Sequence, residues 1–143
     1  MFQKFKDAIV KFLGLDNFYY ERIVLTKDFL KQAISYAVES HPYECFGILQ
    51  GKVRNKALYI TSIHFEPHSS GKSSVTTRPI PYNQPRGWGT IHSHPSGGTG
   101  ASRADLRTFS SNPVNIIIGY PYSSMHLSIY DQKGNRIGFE IEY

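Results

Sequence analysis

The chain has 143 residues, enough for one domain with a single core, and its 40% hydrophobic and 19% charged residues are typical of a globular protein. A single cysteine excludes an intrachain disulfide and favours a reducing, cytoplasmic location, and no apolar run approaches the ~20 residues that cross a bilayer. The formal net charge of +5 comes from scattered basic residues without a nucleic-acid-binding motif, so we expect no nucleic-acid partner.

Residues 1–20 predict an N-terminal amphipathic helix and a connector that precede the main domain at residues 21–143. Apolar side chains recur at helical spacing, namely Phe2, Phe5, Ile9 and Phe12. Lysines lie off that stripe, so a membrane-surface helix is one interpretation. Because the segment is short, we favour packing on the domain or on a second copy of it. The helix thus leaves a homo-oligomer open, and we expect no membrane span.

The first half of the main domain alternates between strand and helix patterns. Residues 22–25 predict a short strand, and Thr26 predicts the N-cap of a helix over residues 27–40. That helix has one apolar face, formed by Phe29, Leu30, Ala33, Ile34, Ala37 and Val38. His41 and Pro42 end it, since proline disfavours helix at the preceding residue. Residues 46–49 and 58–65 then predict an antiparallel pair joined by a turn at 52–56.

Residues 69–86 are the least regular part of the sequence. Three prolines and flanking glycines exclude a long helix there. We expect a mobile loop that borders the functional site.

Residues 87–110 contain the side chains that predict a metal site. A strand that starts near Trp88 ends at Pro95, a glycine-rich loop follows over residues 96–101, and the next helix spans 103–110. His92 and His94 stand two residues apart on the strand, so their side chains point to the same side. Ser102 and Asp105 form an ordinary capping-box pattern when taken alone. Together with the two histidines, however, Asp105 completes a set of two imidazoles and one carboxylate, which is typical of a catalytic metal site with an open position.

The C-terminal part predicts further strands. Residues 114–119 form a continuous apolar run, typical of a buried strand. Residues 124–129 and 137–142 alternate between apolar and polar side chains, with a turn at 131–135, and predict a hairpin in which Met125, Leu127 and Ile129 face one side. The whole pattern predicts an α+β domain with a mixed sheet and packed helices.

Two motifs together resemble the JAMM (MPN-plus) family of zinc metalloproteases. His-Ser-His-Pro is followed by six residues and then by Ser-x-x-Asp, and Glu44 stands in the segment PYECFGILQG, similar to the family's upstream glutamate motif. The resemblance extends over residues 24–143. It implies a cytidine-deaminase-like fold, with a mixed, curved sheet flanked by helices in an arrangement close to three layers. It also implies one zinc ion per chain, held by His92, His94 and Asp105.

The resemblance assigns roles to two more side chains. Glu44 is the expected general base, which accepts a proton from water and hands it to the departing amine. Ser102 is expected to cap its helix and also to donate a hydrogen bond to the developing oxyanion. Cys45 has no partner base, so we expect a small buried core residue rather than a nucleophile.

The family resemblance implies a compact prokaryotic or archaeal enzyme that cleaves after the C-terminal glycine of a ubiquitin-like modifier. The activity would be that of an isopeptidase, deubiquitinase-like or desampylase-like. Processing of a linear ubiquitin-like sulfur-carrier fusion, or a non-catalytic MPN-like scaffold, remains open. A metallo-β-lactamase-type H-x-H-x-D-H site would need an aspartate and a histidine shortly after His94, and the segment that contains Pro95 and Gly97 has neither. A (β/α)₈ amidohydrolase needs about 250 residues.

Overall fold

The computed structural model describes residues 2–12, 18–65, 69–70, 75–76 and 87–143. Within these ranges the chain forms helices at α1 (Phe2–Phe12), α2 (Lys27–Ser40) and α3 (Arg103–Phe109). The strands are β1 (Arg22–Leu25), β2 (Phe46–Arg54), β3 (Ala57–His64), β4 (Ser69–Ser70), β5 (Val75–Thr76), β6 (Gly89–His94), β7 (Val114–Gly119), β8 (Leu127–Tyr130), β9 (Arg136–Ile137) and β10 (Glu140–Ile141).

The main sheet has eight strands in the order β10-β1-β3-β2-β6-β7-β8-β9. The pairs β10–β1, β1–β3 and β6–β7 are parallel, and the other pairs are antiparallel. The two edge strands, β9 and β10, are separated in the chain by Gly138 and Phe139 alone. Because two residues span only about 7–10 Å, the sheet must curve until its edges approach one another. The predicted α+β class with a mixed, curved sheet is therefore confirmed.

Helix α2 covers one face of this sheet. The Oγ1 atom of Thr26 accepts a hydrogen bond from the Phe29 backbone at 3.2 Å, which confirms the predicted N-cap. Phe29, Ala33 and Ala37 follow one another at i, i+4 and i+8 and are fully or almost fully buried. The prediction is wrong for Val38, which is 55% exposed because it lies 100° around the helix from Ala37, at the rim of the buried face.

Strand β7 separates two hydrophobic clusters and so defines the layers. Ile116 and Ile118 pack in the cluster that contains the buried face of α2, whereas Ile117 packs with Phe109 of α3 and with Tyr130. Successive strand residues point to opposite faces, so α2 and α3 lie on opposite sides of β7. All six residues of β7 are buried, as the continuous apolar run predicts.

The β2–β3 hairpin is longer than the sequence pattern suggests. Its strands run to Arg54 and start again at Ala57, so the turn consists of Asn55 and Lys56, with φ values of 51° and 62°. Two consecutive residues with positive φ are typical of the tight turn that matches strand twist. The predicted turn at 52–56 was therefore too long by three residues.

The C-terminal hairpin is confirmed only in its first half. Asp131 accepts hydrogen bonds from the backbones of Lys133 and Asn135, both at 2.9 Å, and thereby closes the turn between β8 and β9. Residues 137–142 do not continue as one strand, because β10 leaves the hairpin and pairs with β1 at the other edge. Met125 is also outside the strand and is 88% exposed, since β8 begins only at Leu127.

Two further predictions concern residues 69–86 and the N-terminal helix α1. In residues 69–86 the structure has β4 paired with β5, and all the other positions of the predicted mobile loop lie outside the described residues. Helix α1 forms as predicted, but its apolar stripe does not pack on the domain: Phe2, Phe5 and Phe12 are 88%, 67% and 89% exposed. In the described part of the chain, no helix combines the length and the apolar character needed to cross a membrane.

Candidate metal centre

Strand β6 carries two histidines on one face at its C-terminal end. Thr90, His92 and His94 alternate with Ile91 and Ser93, and Ile91 packs in the α2 cluster. The imidazoles therefore point to the α3 side, where the ring of His92 lies 6.3 Å from that of Phe109. The strand ends at His94, and Pro95 stands in a turn that the hydrogen bond from Gly97 N to His94 O closes at 3.0 Å. The predicted end of the strand at Pro95 thus agrees with the structure to within one residue.

Helix α3 carries the carboxylate of Asp105 in its first turn. Ser102 is the N-cap, its Oγ accepting from the Asp105 backbone at 3.1 Å, while Asp105 Oδ2 accepts from the Ser102 backbone at 2.9 Å. This capping box fixes the position of the Asp105 side chain at the start of the helix. The same carboxylate faces both histidines, so the observed capping role of Asp105 is compatible with its predicted role as a metal ligand.

The three side chains converge at short distances. His92 Nε2 lies 3.0 Å from Asp105 Oδ1, His94 Nε2 lies 3.3 Å from Asp105 Oδ2, and the two Nε2 atoms are 3.0 Å apart. Their side chains are only 9%, 16% and 15% exposed. Burial raises the pKa of Asp105, but the hydrogen bonds from His92 and His94 outweigh it and hold that pKa far below its ordinary value. Burial lowers the pKa of His94, and the hydrogen bond and charge of Asp105 more than reverse this.

The donor set fits a divalent metal ion. One ligand atom from each of His92, His94 and Asp105 can be chosen so that all lie within 4.8 Å of one another. Tetrahedral zinc with bonds of 2.0–2.1 Å needs neighbouring donors about 3.3 Å apart, comparable with the separations found here. Two imidazoles and one carboxylate leave a fourth position for water, as in catalytic rather than structural zinc sites. These are the three ligand residues that the sequence predicts.

The backbone of Gly98 contacts the His94 ring. As a hydrogen-bonding group it contributes to the raised pKa of His94. In metal sites a partner of this kind orients the histidine ring. Gly98 can approach because its neighbour on β7 is Gly119, where an added Cβ would lie 2.5 Å from the Gly98 oxygen. The loop is also tied to β8, since the Tyr130 hydroxyl donates to the Thr99 carbonyl at 2.6 Å.

Glu44 lies beside this group because β2 pairs with β6. Phe46 is the register partner of His92, and the pairing continues through Cys45, whose backbone N–H donates to Ser93 Oγ at 2.9 Å. Continued by two residues beyond the strand, this register would put Glu44 opposite His94, and the charges of both histidines do act on Glu44. Burial raises the pKa of Glu44, and this outweighs the lowering by the charges of His92 and His94.

Cys45 points to the opposite face and belongs to the core. It is 5% exposed, packs in the α2 cluster, and has a pKa that burial raises. A buried thiol with a raised pKa is inert, so the sequence prediction of a core residue is confirmed.

Sequence reasoning missed three residues that shape the site. Ser93 joins β6 to the residue next to Glu44, Gly119 makes room for Gly98, and Tyr130 anchors the loop. The position of Ser93 between two candidate ligands could have marked it, because its side chain must point away from them. Nothing in the local sequence marks Gly119 or Tyr130, since their partners lie more than 20 residues away.

Comparisons with known proteins agree with this geometry. The family of prokaryotic homologues of the JAB domain matches residues 26–130. A Haloferax volcanii protein described as a probable metalloprotease is 35% identical over 122 residues, which cover 80% of this chain and 76% of that protein. A solved structure described as a metalloprotease-like zinc site in the proteasome and signalosome has a TM-score of 0.65 and 25% identity, covering 86% of this chain and 100% of the other.

Two further solved structures share the fold. A JAB1/MPN domain protein from Archaeoglobus fulgidus has a TM-score of 0.64 at 24% identity, over 86% of this chain and 99% of that one. A protein from Desulfitobacterium hafniense has a TM-score of 0.63 at 16% identity, over 84% and 92%. The fold and the donor set thus define the class of protein, a metal-site domain of the JAB1/MPN type. The chain belongs to the prokaryotic homologues of the JAB domain, within the JAMM family of metalloproteases.

Proposed function

We propose that this protein is a zinc-dependent isopeptidase that hydrolyses the amide bond after the C-terminal glycine of a ubiquitin-like modifier. The observation that carries the proposal is the convergence of His92, His94 and Asp105 beside Glu44 and Ser102, in a chain of a metalloprotease family. The three convergent side chains would hold one zinc ion per chain. When bound, zinc polarises a carbonyl and makes water a competent nucleophile near neutral pH.

Glu44 acts as the general base. It lies close enough to His92 and His94 for the charges of both histidines to act on it, and it is half-buried. A carboxylate there accepts the proton of the attacking water and later delivers it to the departing amine. Burial raises the pKa of Glu44 toward neutral pH, and a group whose pKa is near the working pH transfers protons more effectively.

Ser102 stabilises the negative charge that develops on the carbonyl oxygen. Its Oγ accepts from the Asp105 backbone within the capping box, which fixes the side chain and leaves the hydroxyl proton for a second bond. A preorganised donor of this kind costs no reorganisation during the reaction. Loss of one such donor typically lowers the rate by about 10²–10³.

The loop beside His94 leaves room for an extended substrate tail. It contains Gly98 and Gly100, at each of which an added Cβ would meet nothing within 4 Å. An extended chain end could lie along this open backbone. The family resemblance supports the modifier as the substrate, and the free buried thiol of Cys45 supports a cytoplasmic location.

The test compares cleavage of lysine-linked conjugates of candidate ubiquitin-like modifiers with metal content measured on the same samples. His92→Ala should lose both zinc and cleavage, whereas Glu44→Gln should keep zinc and lose about 10²–10⁴ in rate. His126→Ala and Glu39→Gln are matched controls, because both residues are exposed and neither belongs to the site. A chelator should abolish cleavage, and added zinc should restore it.

Other outcomes separate the alternatives. Cleavage of a linear fusion but not of the lysine-linked conjugate would identify a processing protease with the same chemistry. A zinc-loaded protein that cleaves neither substrate, with Glu44→Gln equivalent to wild type, would contradict the enzyme and favour a scaffold.

A further inference from the structure

Helix α1 touches the domain with its polar side. Asp7 Oδ2 lies 3.4 Å from Lys56 Nζ, and Lys6 Nζ lies 5.5 Å from the ring centroid of Tyr19. Gln3 supports the first contact, since its Nε2 donates to Asp7 Oδ1 at 2.8 Å. Of residues 2–9, Asp7 alone is partly buried. The contacts of this helix are therefore polar, in contrast to those of α2.

The apolar side of α1 faces away from the protein. Phe2, Phe5, Ile9 and Phe12, here called the apolar stripe, are 88%, 67%, 43% and 89% exposed. At 100° per residue they fall within an arc of about 80°, and Asp7 lies opposite its centre. Because Asp7 holds the helix to the domain, the stripe points outward. Four adjacent exposed apolar side chains, three of them aromatic, indicate an interaction surface.

The charge of α1 favours one kind of partner. The helix contains three lysines and one aspartate, and Lys4 and Lys6 are exposed beside the stripe. An aromatic stripe with a basic polar face is the pattern of helices that lie in the surface of an anionic membrane. Two copies of α1 in contact would bury roughly 1,000 Å² in total, below the usual 1,200–2,000 Å² of a stable protein interface. They would also bring two positively charged helices together.

We propose that α1 is a peripheral membrane anchor that inserts its apolar stripe into the interface of an anionic bilayer. The helix lies in the membrane plane and does not cross it. Lys56, which binds Asp7, is in the turn after β2, whereas Glu44 precedes β2. The nine residues of β2 span about 30 Å, so the metal centre lies at the other end of the strand from the anchor. An anchored protein would thus keep its site open to the aqueous phase.

Sedimentation of the full chain with vesicles tests the anchor. We expect binding to vesicles of mixed phosphatidylcholine and phosphatidylserine, weaker binding to phosphatidylcholine alone, and a loss of binding as salt is raised. Phe5→Ser with Ile9→Ser should weaken binding about tenfold or more. Val38→Ser is the matched control, since Val38 is an exposed apolar residue on α2 and should leave binding unchanged.

Lys4→Glu with Lys6→Glu separates charge from apolar insertion. This variant should lose the preference for phosphatidylserine while keeping the fold, which circular dichroism and thermal unfolding would verify. Absence of binding to either vesicle, or equal binding of wild type and the stripe variant, would overturn the proposal. A dimer in sedimentation equilibrium that Phe5→Ser dissociates, without vesicle binding, would overturn it in favour of a second copy as the partner.

Discussion

Replacing Gly119 by alanine should weaken the metal centre without touching a ligand. Gly119 is the parallel partner of His94, and an added Cβ would lie 2.5 Å from the Gly98 oxygen and 3.1 Å from its carbonyl carbon. Contacts under 3.0 Å are essentially never found for real Cβ atoms, and these neighbours are backbone rather than flexible side chain. Gly98 must therefore move, and its backbone contact with the His94 ring changes with it.

The required shift sets the size of the effect. Gly98 must retreat by roughly 0.5–1 Å to reach an ordinary contact distance, and a misplacement of about 1 Å in a catalytic group can cost about 10² in rate. Loss of a hydrogen-bond partner behind a metal-binding histidine typically lowers metal affinity by about 10–100-fold. Overpacking of a buried position should also cost about 1–3 kcal/mol in the free energy of unfolding.

The assay is zinc affinity by chelator competition, together with thermal unfolding of the metal-free protein and cleavage of the proposed substrate. Gly138→Ala is the matched control, because a Cβ there would meet nothing within 4 Å and its backbone needs no positive φ. We expect Gly138→Ala to match wild type in zinc affinity. If Gly119→Ala also binds zinc with wild-type affinity, the Gly98 backbone does not orient the His94 ring, whatever happens to stability.

Three further predictions follow from single interactions. Ser102→Ala and Thr26→Ala each remove a helix cap and should cost about 0.5–2 kcal/mol in stability. Only Ser102→Ala should also lower the cleavage rate, by about 10²–10³. Equal cleavage rates for the two variants would refute the proposed role of the Ser102 hydroxyl. Asn115→Leu should lower the free energy of unfolding, measured by thermal unfolding, by about 1–3 kcal/mol. The reason is that Thr90 Oγ1, which donates to Asn115 Oδ1 at 2.7 Å, loses a buried partner. Adding Thr90→Val should recover part of the lost stability, whereas additive losses would contradict the pairing. Asp131→Ala should lower Tm at neutral pH. The hydrogen bond from the Asn135 backbone lowers the pKa of Asp131, so the stability that the Asp131 carboxylate contributes is fully present above the ordinary pKa of 3.8. The difference in Tm between wild type and variant should therefore shrink as the pH falls below 3.8. A difference that stays constant with pH would show that the charge of Asp131 does not contribute.

The sequence alone determined the local parts of the site. His92 and His94 share a face because strand geometry repeats every two residues, and Asp105 is at the third helical position because Ser102 is a cap. Each of these relations is set within about a dozen residues. The same holds for the Thr26 cap, which also appears where local chemistry places it. Local periodicity and capping therefore predicted the convergent side chains of the candidate metal site and the elements that carry them.

Only the tertiary structure decided which distant segments meet. Glu44 reaches the metal centre through the pairing of β2 with β6, and β10 leaves its predicted hairpin to pair with β1. The apolar stripe of α1 has a pattern that fits packing, yet it points outward because the polar side of the helix meets Lys56. Periodicity shows that a face is apolar but not what covers it. Pairing between segments tens of residues apart depends on the curvature and packing of the whole sheet, which no local pattern encodes.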